Sequence, residues 1–372
     1  MTSFSPPSAQ HILSLAQTLK GGGVERTLLR LARGWIAGGR RVTLLLGQRD
    51  GPLVDELPEG INIVEIGSAA FTDLRALPAV ARQAKPDVIF CPGNHYTSIA
   101  GFTRFRLGAS TPPIIAKISN ALARPDHGAP MAAAYRWWLR RHPYFIDHFV
   151  AMSPAMRDEA IVSMRADPSR ISVIANPTAA APFTAALSAP HQGVPTCPML
   201  VGVGRLEVQK RWDRLISAMA LVRNQQAQLV IVGEGSERPT LIAQIEQLGL
   251  TNRVRLPGYI GDPSPYLAAA DAVVLTSDFE GVPNVLREAL ALGTPVVATD
   301  SSVALREIIT HSGLGSIVPR GDQGALVAAI NQWLDPAAVR PAPVVPQGEC
   351  ASDAYLALFD RLVVERQHRI MG

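Results

Sequence analysis

The sequence predicts an α/β protein with two similar domains, each built around a parallel sheet. Short apolar segments alternate with helical segments along the whole chain, which is the pattern of βαβ units. A length of 372 residues exceeds what one ordinary core holds, so we expect two domains. Hydrophobic residues make up 47% and charged residues 18%, which is typical of a folded globular enzyme.

The first half begins with a strand, a glycine turn and a helix. The apolar segment 11–17 precedes Gly21–Gly23, after which apolar residues recur at helical spacing as far as Trp35. Gly38 and Gly39 end this helix, and "RVTLLLG" is the next strand. Further strands are expected in "INIVEIG", "PDVIFCPG", "PPIIAKIS", "DHFVAMS" and "ISVIANP".

A second series of the same kind follows a segment rich in Ala, Pro and Ser at 179–196, which we interpret as the linker. Its strands are expected in "PMLVGVGRL", "AQLVIVGEG", "VRLPGYI", "AVVLTS" and "TPVVATD". A last helix, at about 351–367, carries an apolar stripe of Tyr355, Leu358, Phe359 and Leu362. The predicted organisation is a domain at 1–180, a domain at 197–340 and a terminal helix within 351–372. Two such Rossmann-like domains would face each other across a cleft.

Charge and cysteine content narrow the class of partner. The net charge of +4 divides into +7 over residues 1–180 and −3 over the remainder, so the first half favours an anionic partner. The three cysteines are widely spaced, which argues against a disulfide framework or a zinc site. There is no apolar segment of about 18 residues and no signal-like start, so we expect a cytoplasmic protein. The basic excess is diffuse, which argues against nucleic-acid binding.

The stretch "DFEGVPNVLREALALGTPVVATD" places Glu280 before a proline and Glu288 in the helix that follows. We expect that helix to run from Pro283, as its first residue, to about Leu292. Its start would present the free backbone N–H groups of Asn284, Val285 and Leu286. Such a helix start is suited to a diphosphate.

Two carboxylates at an anion site make sense if they bind hydroxyl groups. Glu288 would then accept hydroxyls such as those of a ribose, and Glu280 would reach a group beside the anion. In the structural alternative, Glu280 caps the helix and Glu288 pairs with Arg287 or Arg306. The position between a strand and a proline-started helix favours the binding role.

Two further elements are suited to phosphate. Arg205 and Lys210 follow a strand and a glycine turn, where an arginine fork and a lysine point charge can converge on one anion. At Gly22 and Gly23 the absence of side chains lets a phosphate approach the backbone. The alternative for these glycines is an ordinary turn, and they do not form the GxGxxG pattern of dinucleotide sites.

The segments "GGGVERTLLRLA", "GRLEVQKRWDRLI", "LVIVGEGSERPTL", "VRLPGYIGDPSPYLAAADAVVLTS" and "FEGVPNVLREALALGTPVVATD" resemble retaining glycosyltransferases of family 4. The resemblance is concentrated in 201–300. It implies an α/β GT-B fold, with the C-terminal helix crossing back to the N-domain. It also implies a nucleotide-diphosphate sugar as donor substrate, with UDP preferred, and no separate cofactor or metal, since two cations can replace Mg²⁺.

The resemblance implies a role for each matching residue. Arg205, Lys210 and Glu280 would be catalytic: the two cations neutralise the diphosphate, and Glu280 contacts the hydroxyls of the sugar. Glu288 would hold the ribose, and Gly281 lies in the same loop. The remaining donor contacts would come from Gly22, Gly23, Tyr259, Ile260, Asn284, Val285 and Leu286. A glycan or lipid-linked hydroxyl, as in envelope polysaccharide or lipopolysaccharide synthesis, would attack with retention.

The N-terminal half departs from the family pattern. Many family members have a histidine near the sugar, where Ser119 and Asn120 stand in this chain. His95 follows an earlier strand and is a candidate substitute, although a hydrogen-bonded loop histidine is the more common case. This departure keeps two alternatives open, a non-catalytic sugar-nucleotide or glycan-binding protein and a nucleotide-sugar 2-epimerase. A phosphorylase would need a pyridoxal phosphate lysine, and nothing singles one out among the four lysines.

Trp137 and Trp138 lie beside Arg136, Arg140 and Arg141. These residues are consistent with a basic aromatic face at an anionic membrane, which would place the protein peripherally on the inner face of the plasma membrane. They are equally consistent with an ordinary helix that packs its tryptophans and solvates its arginines.

Overall fold

Segments rich in Val, Ile and Leu become short buried strands, and a turn or helix follows each of them. The computed structural model describes residues 9–124, 126–177, 197–345 and 348–371. The first sheet contains β1 (His11–Ala16), β2 (Arg41–Leu46), β3 (Asn62–Glu65), β4 (Val88–Cys91), β5 (Ile114–Lys117), β6 (His148–Ala151) and β7 (Ile171–Val173). The second contains β8 (Met199–Val203), β9 (Gln228–Val232), β10 (Val254–Gly258), β11 (Ala272–Leu275), β12 (Val296–Thr299) and β13 (Gly315–Val318).

Helices cover the strands, as the alternating pattern predicts. They are α1 (Gly23–Ala37), α2 (Leu77–Ala84), α3 (Thr97–Leu107), α4 (Ala129–Leu139), α5 (Pro154–Met164), α6 (Trp212–Leu221), α7 (Arg238–Gln247), α8 (Ser264–Ala269), α9 (Asn284–Ala291), α10 (Leu305–Ile308), α11 (Gln323–Trp333) and α12 (Ala351–Met371). Among the described residues, the first unit holds those of 1–122, 127–177 and 347–372. The second holds those of 123–126 and 178–346.

Both sheets are parallel and doubly wound. The strand orders are β3-β2-β1-β4-β5-β6-β7 and β10-β9-β8-β11-β12-β13. The chain therefore reverses its winding direction between β1 and β4 in the first sheet, and between β8 and β11 in the second. Ligands of open α/β sheets bind outside the carboxyl ends of the strands at such switch points.

The terminal helix α12 completes the core of the first unit. Its predicted stripe is buried, with Tyr355 1% and Phe359 0% exposed. The rings of both contact Trp35 of α1, at centroid distances of 5.9 and 5.3 Å. Phe90 of β4 packs against the same three rings. The α/β class and the return of the terminal helix to the first unit are thus confirmed.

Several boundaries differ from the sequence prediction. Strand β13 was not predicted, because four residues at a sheet edge carry too little periodicity. The terminal helix extends to Met371 rather than Gln367. Helix α9 begins at Asn284, so Pro283 precedes the helix instead of being its first residue. The predicted linker 179–196 lies outside the described residues.

Candidate functional site

Two loops of the second unit meet at the switch point of its sheet. The loop after β8 carries Arg205 and Lys210, and the loop after β11 carries Glu280 and leads into α9. Strands β8 and β11 are neighbours, so their carboxyl ends bring these loops together. The fold thus gathers the residues of the predicted phosphate and sugar sites that lie in these two loops.

Lys210 and Glu280 form an ion pair that the sequence did not predict. The ammonium lies 2.5 Å from Oε1 of Glu280, and both side chains are largely buried, with 16% and 11% exposed. The hydroxyl of Ser277 donates to the same oxygen at 2.6 Å. Among the described residues, Oε2 of Glu280 receives no hydrogen bond. The pair therefore holds a lysine charge beside a carboxylate oxygen that can still accept a hydroxyl.

Hydrogen bonds join the two loops along their length. The backbone N–H of Asp278 donates to the carbonyl of Gln209 at 2.9 Å, and the Gln209 amide donates to the carbonyl of Phe279 at 2.6 Å. The hydroxyl of Thr276 lies 3.1 and 2.9 Å from the carbonyls of Lys210 and Arg211. These bonds fix Lys210 relative to the loop that carries Glu280.

A cluster of charges behind the pair reinforces this junction. Asp278 accepts from Arg214 at 2.6 Å and from Arg211 at 3.4 Å, and Arg211 also forms a fork with Asp213. Asp213 and Asp278 raise the pKa of Arg211. Arg211 adopts the left-handed conformation, with φ of 50°, where the chain turns into α6. This cluster was not predicted, although the charged residues between 210 and 214 are its signal in the sequence.

Glycine is required beneath Lys210. A Cβ on Gly204 would lie 3.2 Å from Cε of Lys210. Gly233, with φ of 147°, lies so close to this loop that its Cβ would be 2.0 Å from the carbonyl oxygen of Gly204. The glycine turns after β8 and β9 therefore pack against each other and support the lysine.

Arg205 is the exposed cation of this site. Its carbonyl accepts from the Trp212 indole at 2.9 Å, which anchors its backbone. Among the described residues, its guanidinium makes no ion pair. Arg205 therefore remains available for an anion, in contrast to Lys210.

The start of α9 differs in part from the predicted anion site. The N–H of Leu286 donates to the carbonyl of Pro283 at 3.2 Å, so it is not free as expected. Burial lowers the pKa of Arg287, and Glu288, which is half-buried in the second turn, opposes that shift. Arg306 pairs with Asp300, so the alternative in which Glu288 pairs with Arg306 is wrong. Gly281, Asn284 and Val285 lie at the same end of α9.

Tyr259 and Ile260 follow the carboxyl end of β10 and are half-buried. Gly258 just before them has φ of 90°, and its Cβ would lie 2.8 Å from a carboxylate oxygen of Glu234. Glu234 itself pairs with Arg238 at 3.0 Å. The carboxylate of Glu234 is thus a further polar group at this edge, and it was not predicted.

In the first unit, α1 begins at Gly23, as the glycine turn predicts. The turn is not empty, because a Cβ on Gly22 would lie 2.1 Å from Oε2 of Glu25. Nothing lies within 4 Å of a Cβ on Gly23. Glu25 was missed in the sequence, and its carboxylate occupies the helix start where an anion was expected.

A buried lysine lies beside Glu25. Lys117 ends β5, is 3% exposed, and has its pKa lowered to about 7 by burial, with Glu25 opposing the shift. The hydroxyl of Tyr96 lies 3.4 Å from Glu25 and accepts the N–H of Gln17 at 2.9 Å. A lysine within the apolar stretch "IIAKIS" was the sequence signal for this cluster.

Ser119 and Asn120, which stand where many family members have a histidine, form hydrogen bonds within the first unit. Ser119 accepts the N–H of Asn94 at 3.2 Å, and Asn94 accepts the N–H of Ser119 at 2.7 Å. The Asn94 amide also donates to the carbonyl of Asn120 at 3.1 Å. His95 is exposed, and its ring lies 3.8 Å from that of Tyr96. These bonds hold the loops after β4 and β5 together.

The two tryptophans of α4 have different environments, one partly packed and the other exposed. Trp138 is half-buried and stacks on Phe145 at 5.5 Å. Trp137 is 58% exposed and lies under the guanidinium of Arg141 at 4.8 Å. Arg136 and Arg140 are exposed.

Within the described ranges, no group of three His, Cys, Asp or Glu side chains could hold a metal ion. The helices found there are also too short or too polar to cross a bilayer.

Two family models match the chain one after the other. The model described as Glycosyltransferase Family 4 matches residues 21–181, and the model described as Glycosyl transferases group 1 matches residues 188–340.

Curated relatives match parts of the chain. The lipopolysaccharide core biosynthesis glycosyltransferase LpsD of Rhizobium meliloti is 34% identical over 205 residues, which are 53% of this chain and 59% of LpsD. An N-acetylgalactosaminyltransferase of Campylobacter jejuni that acts on a diphospho-undecaprenol glycan is 33% identical over 38% of this chain and 39% of that protein. The matched regions thus span between about two fifths and three fifths of these relatives.

Solved structures match nearly the whole fold. HepE of Anabaena in complex with UDP and glucose has a TM-score of 0.72 at 21% identity, covering 97% of this chain and 98% of HepE. TarM of S. aureus, in complex with UDP, has a TM-score of 0.72 at 12% identity, covering 96% of each chain. With this GT-B fold and both family models in order, the protein belongs to the family 4 glycosyltransferases.

Proposed function

We propose that the protein is a retaining glycosyltransferase that uses a nucleotide-diphosphate sugar, with UDP as the preferred carrier. The observation that carries this proposal is the junction of Lys210 and Glu280 at the switch point of the second sheet. A lysine and the exposed Arg205 supply positive charge there, and Glu280 and Glu288 supply acceptors for hydroxyls. The UDP and glucose bound by HepE support the choice of donor.

The proposed chemistry follows from the charge of the leaving group. When the anomeric C–O bond breaks, its electrons pass to the diphosphate, which gains negative charge. Arg205, Lys210 and the start of α9 stabilise that charge as it develops, which is the largest catalytic contribution available here. Because two cations perform this task, we propose that transfer needs neither a metal ion nor a separate cofactor.

The ion pair adds a step to this scheme. In the free protein, Lys210 is neutralised by Glu280 at 2.5 Å. An incoming diphosphate would share or take over the ammonium, and Glu280 would then accept a hydroxyl of the donor sugar. The acceptor hydroxyl attacks on the leaving-group face, and its proton passes to the departing diphosphate.

For the acceptor, we propose a glycan or lipid-linked glycan of envelope polysaccharide or lipopolysaccharide synthesis. The names of LpsD and of the Campylobacter enzyme support this class. We further propose that the protein acts in the cytoplasm and binds peripherally to the inner face of the plasma membrane. Exposed Trp137 beside Arg141 supports that location.

Calorimetry without metal, using UDP, GDP and ADP, tests the donor site. We expect one nucleotide to bind selectively, and Lys210→Ala and Glu288→Ala to weaken it by about tenfold or more. Arg223→Ala and Glu246→Ala are the controls, because both residues are exposed and lie outside the loops that follow β8 and β11. Normal binding by both site variants would refute the proposed site.

Turnover of the matching nucleotide sugar separates the enzyme from a binding protein. Release of the nucleoside diphosphate in the presence of a glycan acceptor, unchanged by a chelator, is the expected result. A product with the anomeric configuration of the donor would establish retention. Binding without any turnover over a panel of acceptors would favour the non-catalytic alternative, and a change at C2 of the sugar would favour an epimerase.

A further inference from the structure

A cavity of about 570 Å³ lies at the amino ends of β5, β6 and β7 in the first unit. The turn at 142–148 and the last turns of α12 form its walls. Four arginines line it, namely Arg104, Arg170, Arg361 and Arg369, together with the carboxylates of Asp147 and Glu365.

The two carboxylates neutralise only part of the charge of the four arginines. Asp147 pairs with Arg104 through the same oxygen that accepts the N–H of Ile114 at 2.7 Å, so its charge is shared with a backbone group. Arg170 donates to backbone carbonyls of the 146–147 turn. Glu365 lies 3.9 Å from Arg361, and both side chains are about half exposed. Positive charge therefore remains in excess in this cavity.

Neighbouring groups respond to that excess. Burial, together with the positive charges of Arg361 and Arg170, lowers the pKa of His148 to about 4, so this histidine is neutral at pH 7. Burial also lowers the pKa of Arg366, with Arg104 and Arg369 contributing and Asp147 opposing. The positive charges of these arginines thus repel one another, and a bound anion would reduce that repulsion.

An apolar surface adjoins the cavity. Tyr144 and Phe145 line both this cavity and a second one of about 480 Å³, which also contains Phe105 and Arg141. The rings are unusually open to solvent: Phe105 is 82%, Tyr144 79% and Trp137 58% exposed. We define the basic aromatic face as Arg104, Phe105, Trp137, Tyr144, Arg361 and Arg369.

We infer that the basic aromatic face binds the surface of a bilayer containing anionic phospholipids, with a headgroup phosphate in the arginine-lined cavity. Arginine forks match phosphate oxygens, and exposed aromatic rings favour the region between headgroups and acyl chains. A soluble phosphate would use the arginines but leave the three rings in water without a partner. Charge and apolar exposure together therefore favour the lipid surface.

This inference specifies the peripheral location proposed above and rests on it. It concerns the amino ends of the strands of the first sheet, whereas the loops after β4 and β5 follow the carboxyl ends. Ile114, bonded to Asp147, begins β5, whereas Ser119 follows its other end, about 16 Å away at the rise of a strand. The basic aromatic face can therefore bind a membrane surface while the loops after β4 and β5 remain accessible.

Sedimentation with vesicles tests the inference on the full-length protein. Vesicles of phosphatidylcholine alone are compared with vesicles that contain about one third phosphatidylglycerol. We expect binding to the anionic vesicles only, lowered about tenfold or more by the double change Arg361→Gln with Arg369→Gln. The control Arg223→Gln with Arg255→Gln removes the same charge from exposed positions of the second unit and should keep near-normal binding.

A second variant, Phe105→Ser with Tyr144→Ser, removes two exposed rings and keeps the arginines. It tests the inference independently if the arginine variant fails to fold. Loss of binding in this variant supports the inference. Equal loss in the control, equal binding to neutral vesicles or no binding at all would overturn it. Binding of inorganic phosphate, measured by calorimetry, without vesicle binding would assign the cavity to a soluble anion and also overturn it.

The two proposals fail separately. Normal UDP binding in a protein that ignores vesicles would refute only the basic aromatic face. Vesicle binding in a protein that binds no nucleotide would refute only the proposed donor site.

Discussion

The ammonium of Lys210 lies 2.5 Å from Oε1 of Glu280, across the junction of two loops that follow neighbouring strands. The sequence pattern predicts different parts of a donor as their ligands, phosphate for the cation and sugar for the carboxylate. The pair instead neutralises both before any ligand arrives. A buried pair of this kind is strongly affected by removal of either partner.

Glu280→Gln separates the two roles of this pair. The amide no longer neutralises Lys210, so we expect UDP affinity to stay equal or rise severalfold. Sugar transfer should fall by about tenfold to hundredfold, because a charged hydrogen-bond acceptor is lost. Calorimetry and initial-rate kinetics measure the two effects, with Glu246→Gln as the exposed control. A loss of UDP affinity in Glu280→Gln would contradict this assignment.

Gly204→Ala should displace Lys210 without changing its charge. The new methyl group would lie 3.2 Å from Cε of Lys210 and 3.3 Å from the Trp212 ring. We expect weaker nucleotide binding, by about three- to tenfold, with little change in the far-ultraviolet spectrum. Gly324→Ala within α11 is the control, since its Cβ would meet only Asp322 at 3.5 Å. Unchanged nucleotide affinity in Gly204→Ala would show that the lysine position does not matter.

Asp278→Asn should loosen the junction behind the pair. Arg214 would lose its carboxylate at 2.6 Å, and Arg211 would keep only Asp213. We expect the free energy of unfolding to fall by about 1–3 kcal/mol, measured with urea. Asp300→Asn breaks the exposed pair with Arg306 and should cost about 0–1 kcal/mol. Equal losses in the two variants would indicate that the junction adds no special stability.

Lys117 predicts a specific dependence of stability on pH. Its pKa is about 7 in the folded protein and 10.5 for an ordinary lysine, so between these values the unfolded chain binds a proton that the folded chain has lost. The contribution of this group to the free energy of unfolding therefore rises as pH increases through that window. Lys117→Met should be more stable than the wild type at pH 7, and the difference should shrink towards pH 10.

Urea unfolding of both proteins between pH 6 and about 10 measures this effect. Lys20→Met is the control, because Lys20 is 64% exposed and pairs with Asp50 at the surface. The same pH slope in the wild type and in Lys117→Met would mean that the buried lysine keeps its ordinary pKa.

Much of the fold could be predicted because strands buried on both faces leave continuous apolar segments in a sequence. Strand β13 escaped prediction because it is short and lies at a sheet edge. The start of α9 was misplaced by one residue, since a proline satisfies the geometry of either position.

The candidate site was predictable in its members but not in its pairing. Lys210 and Glu280 lie 70 residues apart in sequence, and no local pattern shows that one will neutralise the other. The same holds for Glu25 and Lys117, whose electrostatic interaction is visible only in the tertiary structure. Electrostatic partners that are distant in sequence require the tertiary structure, whereas glycine turns and helix starts do not.

The packing of α12 on α1 sets an order of events during synthesis. Trp35 and Phe90 emerge early from the ribosome, but the rings that cover them belong to Tyr355 and Phe359. At about 5–20 residues per second, the second unit must be translated before these rings arrive. For many seconds the nascent first unit therefore exposes the aromatic surface that these two rings later cover.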